Sequence, residues 1–248
     1  MSKPAPRTLE VVRSAYITPN MLRLTLGGSG LADFPEDQES AYIKLIFPQC
    51  GEARPLMRTY TISGQRNNEI DVDFVLHAAG GPASAWAGSA KPGDQILVGG
   101  PGPKKLIKRH ADWYLLVGDM TALPAIAVNL AQLPKDARGY VVIEVVSGED
   151  IQPLQHPENI EVHWVVSATL EVDASALLKH VEQLSWLPGQ PAVWAACEFH
   201  SMRALRAYFK QEREMAKSHL YISSYWKINS TEDQHKIAKR DDSQAVLA

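Results

Sequence analysis

Cysteine is scarce in this chain: only Cys50 and Cys197 occur, far apart and outside any metal-ligand spacing. A zinc or iron–sulfur site built from four cysteines is therefore excluded, and no other metal site is indicated. So few thiols favour a reducing compartment. Long hydrophobic runs are also missing, because the N-terminal residues lead into no apolar segment and nothing approaches membrane-spanning length. We expect a cytoplasmic protein without stable membrane association.

A large excess of either charge is absent too, since the formal net charge is −3 at pH 7. This argues against a general binder of nucleic acid or of membrane surfaces, so attraction for an anionic ligand must come from local clusters. Internal repeats and low-complexity segments are not found. The hydrophobic content of 45% and the length of 248 residues are those of a globular protein with room for two domains.

The stretch Arg58-Thr-Tyr-Thr61 carries the most chemistry in the first half of the chain. It lies in a run that alternates like a β-strand, which puts Arg58 and Tyr60 on one face and Thr59 and Thr61 on the other. A guanidinium beside an aromatic ring suits a ligand with a phosphate and a flat ring system. The alternative interpretation is an exposed strand with a cross-strand Arg/Tyr pair.

Around this stretch, residues 1–108 show about six short alternating segments and one short helix, which predicts a six-stranded antiparallel β-barrel. The helix follows Gly80-Gly81-Pro82, where glycines permit close backbone approach and a first helical turn attracts phosphate. The loop Gly99–Pro103 is interpreted as a turn, since it lacks the ending of a phosphate loop.

Residues 109–248 instead alternate buried strands with helices, which predicts a parallel sheet covered on both faces. Ligands in such sheets lie at the carboxyl ends of strands. No Gly-x-Gly-x-x-Gly fingerprint occurs, so the pattern alone does not establish a dinucleotide fold. The predicted helices are Thr121–Leu133, Ala174–Leu184, Phe199–Met215 and a short one at Thr231–Lys239.

Several short motifs occur in order along nearly the whole chain, and together they are specific although each is weak alone. They are Arg58–Thr61, Asp71–His77, Gly81–Ser84 with Trp86, Pro92–Asp94, Gly99–Pro101, Gly118–Ile126 and Ser224–Trp226. In these motifs the chain resembles the siderophore-interacting protein family, FAD-dependent ferric-siderophore reductases with a ferredoxin-reductase-like fold. The resemblance implies an FAD-binding barrel at 1–108 and an NAD(P)H-binding-like α/β domain with a C-terminal tail at 109–248.

The resemblance also implies roles for individual residues. Arg58 would hold FAD phosphate, Tyr60 would stack on the isoalloxazine, and Thr61 would bond its polar edge. The further cofactor-binding residues implied are Thr59, Asp73, Val75, His77, Gly81, Pro82, Ala83, Ser84, Thr121, Ala122 and Trp226. Plain packing at a strand end is the alternative for Trp226. The loop Ala78-Ala-Gly80 departs from the family's more acidic version.

Basic side chains near the flavin would receive an anionic ferric siderophore. Lys44, Lys227 and Arg240 are the expected substrate-binding residues, with Lys104 and Lys105 as possible additions. Lys44 and Lys227 are expected to share one positive patch, the alternative for Lys44 being an outward strand residue. No catalytic acid or nucleophile is expected, because the redox chemistry belongs to the cofactor.

The resemblance leaves the electron donor open between NADH, NADPH and a reduced ferredoxin. Arg203 and Arg206 would meet a 2′-phosphate or else be solvated helix residues. Cys197 stands where the family has a small residue and is an inert buried thiol or, less favoured, a redox group. We expect a monomer. The rival hypotheses are a general NAD(P)H:flavin or ferredoxin-type reductase and a non-catalytic siderophore carrier.

Overall fold

Six antiparallel strands close into a barrel because apolar and polar residues alternate along them and the apolar face turns inward. This computed structural model describes residues 5–49, 54–76, 80–167 and 175–245. The barrel strands are β1 (Arg7–Thr18), β2 (Met21–Gly27), β3 (Tyr42–Phe47), β4 (Leu56–Arg66), β5 (Glu69–Val75) and β6 (Gln95–Gly99). Their order around the barrel is β1-β2-β5-β4-β3-β6.

The barrel interior is apolar, and Phe74 is its largest fully buried side chain. Helix α1 (Pro82–Ser89) adds Ala83 and Ala87 to this core. A polar cluster lies on β2, β4 and β5, where Arg66 donates to both oxygens of Asp71 at 2.6 and 2.8 Å and Thr25 donates at 2.6 Å. Burial opposes ionisation of Asp71, but these hydrogen bonds outweigh it, so the pKa of Asp71 is lowered.

The second half of the chain forms a five-stranded parallel sheet of order β11-β10-β7-β8-β9. The strands are β7 (Trp113–Asp119), β8 (Arg138–Val145), β9 (Asn159–Val166), β10 (Pro191–Glu198) and β11 (Leu220–Trp226). The helices are α2 (Leu123–Ala131), α3 (Ala176–Gln183), α4 (Phe199–Ala207) and α5 (Glu232–Ala245). Every residue of β7 and β10 is buried, as expected of central parallel strands.

The carboxyl end of β7 lies unusually close to its neighbours. A Cβ at Gly118 would stand 2.6 Å from the carbonyl oxygen of Ala196 and 2.9 Å from the Cβ of Ala122. Only glycine fits such an approach, so Gly118 allows β7, β10 and the start of α2 to converge.

The structure confirms the predicted barrel followed by a parallel-sheet α/β fold, and it corrects several helix bounds. Helix α2 begins at Leu123 instead of Thr121. The predicted helix to Met215 ends at Ala207 and continues as a π-helical turn, Tyr208–Glu212, where Arg213 N–H bonds the Tyr208 carbonyl.

Helix α5 is longer than expected, because its last turns are held by side-chain contacts that local propensity does not report. By internal contacts the chain divides into two units, Met1–Lys105 and Leu106–Ala248. The assignment of cofactor roles to 1–108 and 109–248 stays a prediction. Among the helices described, none is both long and apolar enough to cross a bilayer.

Candidate functional site

The two faces of β4 separate the motif residues as predicted. Tyr60 pairs with Ile43 and Arg58 with Leu45 across the β3–β4 ladder, so both share the face of those buried side chains. On the opposite face Lys44 pairs with Thr59, and its Nζ donates to the Thr59 hydroxyl at 3.0 Å. Thr61 shares that face, so Lys44 lies on the side of the two threonines, opposite Arg58 and Tyr60.

Ring contacts connect Tyr60 with residues of the other barrel motifs. Its ring lies 4.4 Å from that of Phe74, centroid to centroid, and Phe74 lies 6.1 Å from Trp86 of α1. Next to Phe74, the Val75 carbonyl accepts the Ser84 hydroxyl at 3.2 Å. The structure therefore brings Tyr60, Val75 and the start of α1 into one neighbourhood, although they are up to 24 positions apart in sequence.

The residues of this neighbourhood fit a phosphate-bearing aromatic cofactor. The Arg58 guanidinium donates to the adjacent Met57 carbonyl, and within the described residues no carboxylate pairs with it. Gly81 and Pro82 are exposed at the first turn of α1, and a Cβ at Gly81 would meet nothing within 4 Å. A guanidinium without a carboxylate partner and an exposed helix start can both bind phosphate. A half-buried aromatic ring can pack against a flat ring system.

Other predicted cofactor residues are engaged within the protein. Asp73 accepts two hydrogen bonds from Arg23, at 2.6 and 2.7 Å, and its side chain is only 7% exposed. Ala83 lies in the barrel core, and the Ser84 hydroxyl donates to the Val75 carbonyl. A cofactor-binding role for these three residues stays a prediction, and since their side chains are buried or paired, it would rest on backbone contacts. His77 lies outside the described residues.

A second polar centre lies at the carboxyl edge of the parallel sheet. The buried carboxylate of Asp119 accepts from the Thr121 N–H at 2.9 Å, the Thr121 hydroxyl at 2.5 Å, the Glu198 N–H at 2.9 Å and the Trp226 indole N–H at 2.8 Å. These donors join the ends of β7, β10 and β11. Burial raises the pKa of Asp119 despite all of these hydrogen bonds.

Glu198 extends this centre toward the loop after β11. Its carboxylate caps α4 by accepting from the N–H groups of His200 and Ser201, and it also accepts from the Ile228 N–H at 3.1 Å. Beside Ile228, the Lys227 ammonium lies 4.9 Å from the Phe199 ring centroid. Lys227 is thus placed by the cap of α4 and by a cation–π contact.

The sequence patterns predict no role for Asp119 or Glu198. The available signal was a carboxylate at the last position of an otherwise apolar strand, which is costly unless it is used.

The remaining predicted residues of this unit vary in exposure. Ala122 is fully buried, which leaves the half-buried Thr121 as the residue of that pair with an accessible side chain. Trp226 is half-buried, and its indole N–H donates to Asp119, so the residue does more than pack at a strand end. Arg240 is 68% exposed on α5, while Lys104 is half-buried and Lys105 exposed.

The side chains of Cys197 and Arg206 both lie largely inside the protein. Burial raises the pKa of the Cys197 thiol well above its usual range, as expected of the inert thiol. Arg206 binds both oxygens of Asp242 at 2.6 and 2.8 Å, and Arg203 reaches Asp242 at 3.2 Å. Arg206 is therefore neither solvated nor available to a 2′-phosphate. In the described part of the chain, no group of three metal-ligating side chains could hold a metal ion.

Comparison with known proteins identifies related domains for both parts of the chain. The siderophore-interacting FAD-binding domain matches residues 10–55 and 49–105, and the siderophore-interacting protein domain matches residues 111–229. Ferric vibriobactin reductase ViuB of Vibrio cholerae is 36% identical over 252 residues, which cover 93% of this chain and 92% of that protein. The chain belongs to the siderophore-interacting protein family.

Solved structures extend the family likeness to three dimensions. The siderophore-interacting protein SipS from Aeromonas hydrophila superposes with a TM-score of 0.85 at 33% identity, over 96% of this chain and 98% of that one. Phthalate dioxygenase reductase superposes with a TM-score of 0.65 at 14% identity, over 91% of this chain and 70% of that one. Like other siderophore-interacting proteins, the chain therefore has a ferredoxin-reductase-like fold.

Proposed function

We propose that this protein is an FAD-dependent ferric-siderophore reductase, which reduces siderophore-bound Fe(III) so that Fe(II) is released for iron assimilation. The support is a relative named ferric vibriobactin reductase over nearly the whole chain, together with the match of the barrel to an FAD-binding domain. The observation that carries the proposal is the Arg58 guanidinium, which has no carboxylate partner among the described residues and lies two positions from the half-buried Tyr60. The Tyr60 ring contacts Phe74, which in turn contacts Trp86 of α1, the helix with an exposed first turn.

In this proposal Arg58 binds a phosphate of FAD with charge-assisted hydrogen bonds, and the first turn of α1 at Gly81 and Pro82 provides a second phosphate site. Two phosphate sites favour FAD over FMN. Tyr60 packs on the isoalloxazine, and Thr61 bonds its polar edge. When bound, FAD supplies the transfer of electrons from the donor to iron. The described residues contribute binding and orientation, and no protein acid or nucleophile is needed.

The substrate is proposed to be an anionic ferric siderophore that Lys44, Lys227 and Arg240 attract. Each of these cations lies at an accessible or half-buried position, and the net charge of the whole chain is −3. Local positive charge is therefore needed to offset repulsion of an anion. NADH, NADPH or a reduced ferredoxin is the proposed donor. The engagement of Arg206 with Asp242 removes one of the two arginines considered for a 2′-phosphate. Cytoplasmic location and a monomeric state remain predictions.

The proposal is tested by purifying the protein, identifying the flavin that it carries, and then reconstituting the apoprotein with FAD. We expect a yellow protein that releases FAD on denaturation and that, under anaerobic conditions, reduces a ferric tris-catecholate in a saturable manner. Arg58→Ala should weaken FAD binding about 10- to 100-fold, because a charge-assisted phosphate contact is worth about 1.5–3 kcal/mol. Arg58→Lys should lose less.

Arg13→Ala is the matched control, since Arg13 is an exposed barrel arginine that pairs with Glu69. Its FAD affinity should equal that of the wild type. Release of FMN in place of FAD, or equal FAD affinity of the Arg58→Ala and Arg13→Ala variants, would reject this cofactor site. Turnover with free flavin but not with ferric siderophore would support a general flavin reductase instead.

A further inference from the structure

Asp119 has an unusual set of partners for an acidic residue that is only 2% exposed. All four of its hydrogen-bond donors are neutral groups: two belong to Thr121, and the others are the Glu198 N–H and the Trp226 indole N–H. Among the residues that the structure describes, no lysine or arginine pairs with it. Burying an ionised group without a cation costs free energy, even when its hydrogen bonds are complete.

Two other carboxylates whose side chains are largely buried are paired with arginines. Asp71 is bound by Arg66, and Asp242 by Arg206, each through two hydrogen bonds. These pairs stabilise the fold through opposite charges. Asp119 instead accepts hydrogen bonds from residues at the ends of three strands. It does so with a buried negative charge, whose desolvation cost a neutral side chain would not carry. Its presence there indicates a role in arranging other groups, because stability alone does not favour it.

The hydrogen-bond directions around Asp119 determine what Thr121 can offer a ligand. Backbone and indole N–H groups can only donate, so they require an acceptor at Asp119. The Thr121 hydroxyl also donates its proton to Asp119, at 2.5 Å. The hydroxyl oxygen therefore has only lone pairs left to present outward. Thr121 is half-buried, so this oxygen belongs to a residue that remains partly accessible at the carboxyl edge of β7.

We propose that Asp119 is a positioning residue, which orients the Thr121 hydroxyl as a hydrogen-bond acceptor for an amide-type N–H group of a planar ligand and holds the Trp226 indole beside it. The inference rests on the proposed function in one respect, namely that the ligand is a redox heterocycle. Two such groups share this chemistry, the carboxamide of a nicotinamide and the imide of a flavin. Both present an N–H donor next to a carbonyl.

Ligand analogues that lack the donor test the proposal. A 3-acetylpyridine adenine dinucleotide replaces the carboxamide N–H₂ with a methyl group, and N3-methyl-FAD removes the imide N–H. Thr121→Val should weaken binding of the ligand that carries the N–H about 3- to 10-fold, as expected for one hydrogen bond. The same variant should bind the matching analogue as the wild type does. Thr121→Ser keeps the hydroxyl and should stay within about 2-fold of the wild type for both.

Binding is measured by titration with the oxidised dinucleotides and, separately, by reconstitution of the apoprotein with each flavin. Discrimination in the dinucleotide arm identifies the carboxamide, and discrimination in the flavin arm identifies the imide. If Thr121→Val loses the same affinity for a ligand and its analogue in both arms, or loses none in either, the proposal is overturned. Neither measurement depends on turnover, so failure of siderophore reduction is distinguishable from failure of this inference.

A ligand-free measurement tests the positioning role itself. The side-chain amide of an Asp119→Asn variant would present one carbonyl and one N–H₂, so one of the two donor pairs would lose its acceptor. Among the indole N–H resonances of the six tryptophans, the one missing from a Trp226→Phe variant should shift in Asp119→Asn. Asp119→Asn should also lose the wild-type discrimination between ligand and analogue. An unmoved Trp226 resonance together with retained discrimination would refute the role of Asp119.

Discussion

Replacing Asp242 with alanine should detach the C-terminal helix α5 from the body of its unit. The helix is polar, and its one large aliphatic residue, Ile237, is 52% exposed. Its docking therefore depends on hydrogen bonds and ion pairs. One of these joins Asp242 to Arg206 through two bonds, with side chains only 8% and 16% exposed.

The magnitude follows from this burial. Arg203 is 57% exposed, so its contact with Asp242 contributes less than about 1 kcal/mol. Loss of Asp242 leaves Arg206 largely buried without its partner, which costs about 2–3 kcal/mol. This is less than the cost of breaking a fully buried ion pair, because some solvent reaches the guanidinium. The docking equilibrium of α5 should therefore fall by about 30- to 150-fold.

Amide hydrogen exchange of residues 232–245 measures this opening directly. Asp241→Ala is the matched control, since Asp241 is the neighbouring acid on the same helix, is 60% exposed and, among the residues that the structure describes, forms an ion pair only with Arg240, at 3.5 Å. Protection should drop in Asp242→Ala and stay near the wild-type value in Asp241→Ala. Equal protection in the two variants would refute the view that the Arg206–Asp242 pair holds the helix.

The pH dependence of α5 docking gives the same prediction a second test. Hydrogen bonds from Arg206 lower the pKa of Asp242. A lowered carboxyl pKa means that the stabilisation is present above the ordinary value of about 3.9 and is lost as the pH falls through the lowered pKa. The wild-type protein should lose protection of α5 in that acidic range, and Asp242→Ala should lack this step.

Three further predictions concern other parts of the chain. Burial lowers the pKa of His235, whose Nε2 contacts the Ser224 hydroxyl at 2.8 Å. The stability that neutral His235 contributes is therefore present above about pH 6.5 and declines below it. Thermal denaturation of His235→Gln should show a flatter pH dependence in that range. Lys44→Ala and Lys227→Ala should each weaken ferric-siderophore binding several-fold and flatten its salt dependence without changing FAD content, and an unaltered siderophore affinity of the double variant at low salt would contradict a substrate-binding role for both lysines. Cys197 should resist alkylation in the native protein at pH 8, as measured by peptide mass spectrometry, because its pKa is raised by burial; rapid labelling before unfolding would contradict this.

Local sequence patterns were sufficient for the order of strands and helices and for the two faces of β4. Alternation in Arg58–Thr61 reports which side chains share a face, because successive residues of a strand point in opposite directions. Apolar runs such as Trp113–Asp119 and Pro191–Glu198 likewise indicate strands buried on both faces. Short motifs in order indicated the family, which whole-chain similarity then established.

Helix ends were less predictable, since they depend on contacts outside the helix. The turn at Tyr208–Glu212 widens to a π-helix within a sequence that continues an amphipathic pattern. Helix α5 extends to Ala245 because Asp242 meets Arg206, 36 positions away in sequence. Propensity over a short window does not include partners at that distance.

By itself, the amino-acid sequence determined the two-part architecture and the residues that face together along each strand, because both depend on neighbours within a few positions. Only the tertiary structure decided what the buried carboxylates do. Asp119 and Trp226 meet across 107 positions because β10 lies between β7 and β11 in the parallel sheet. Such a contact depends on strand order and register, which arise when separate segments pack into one core.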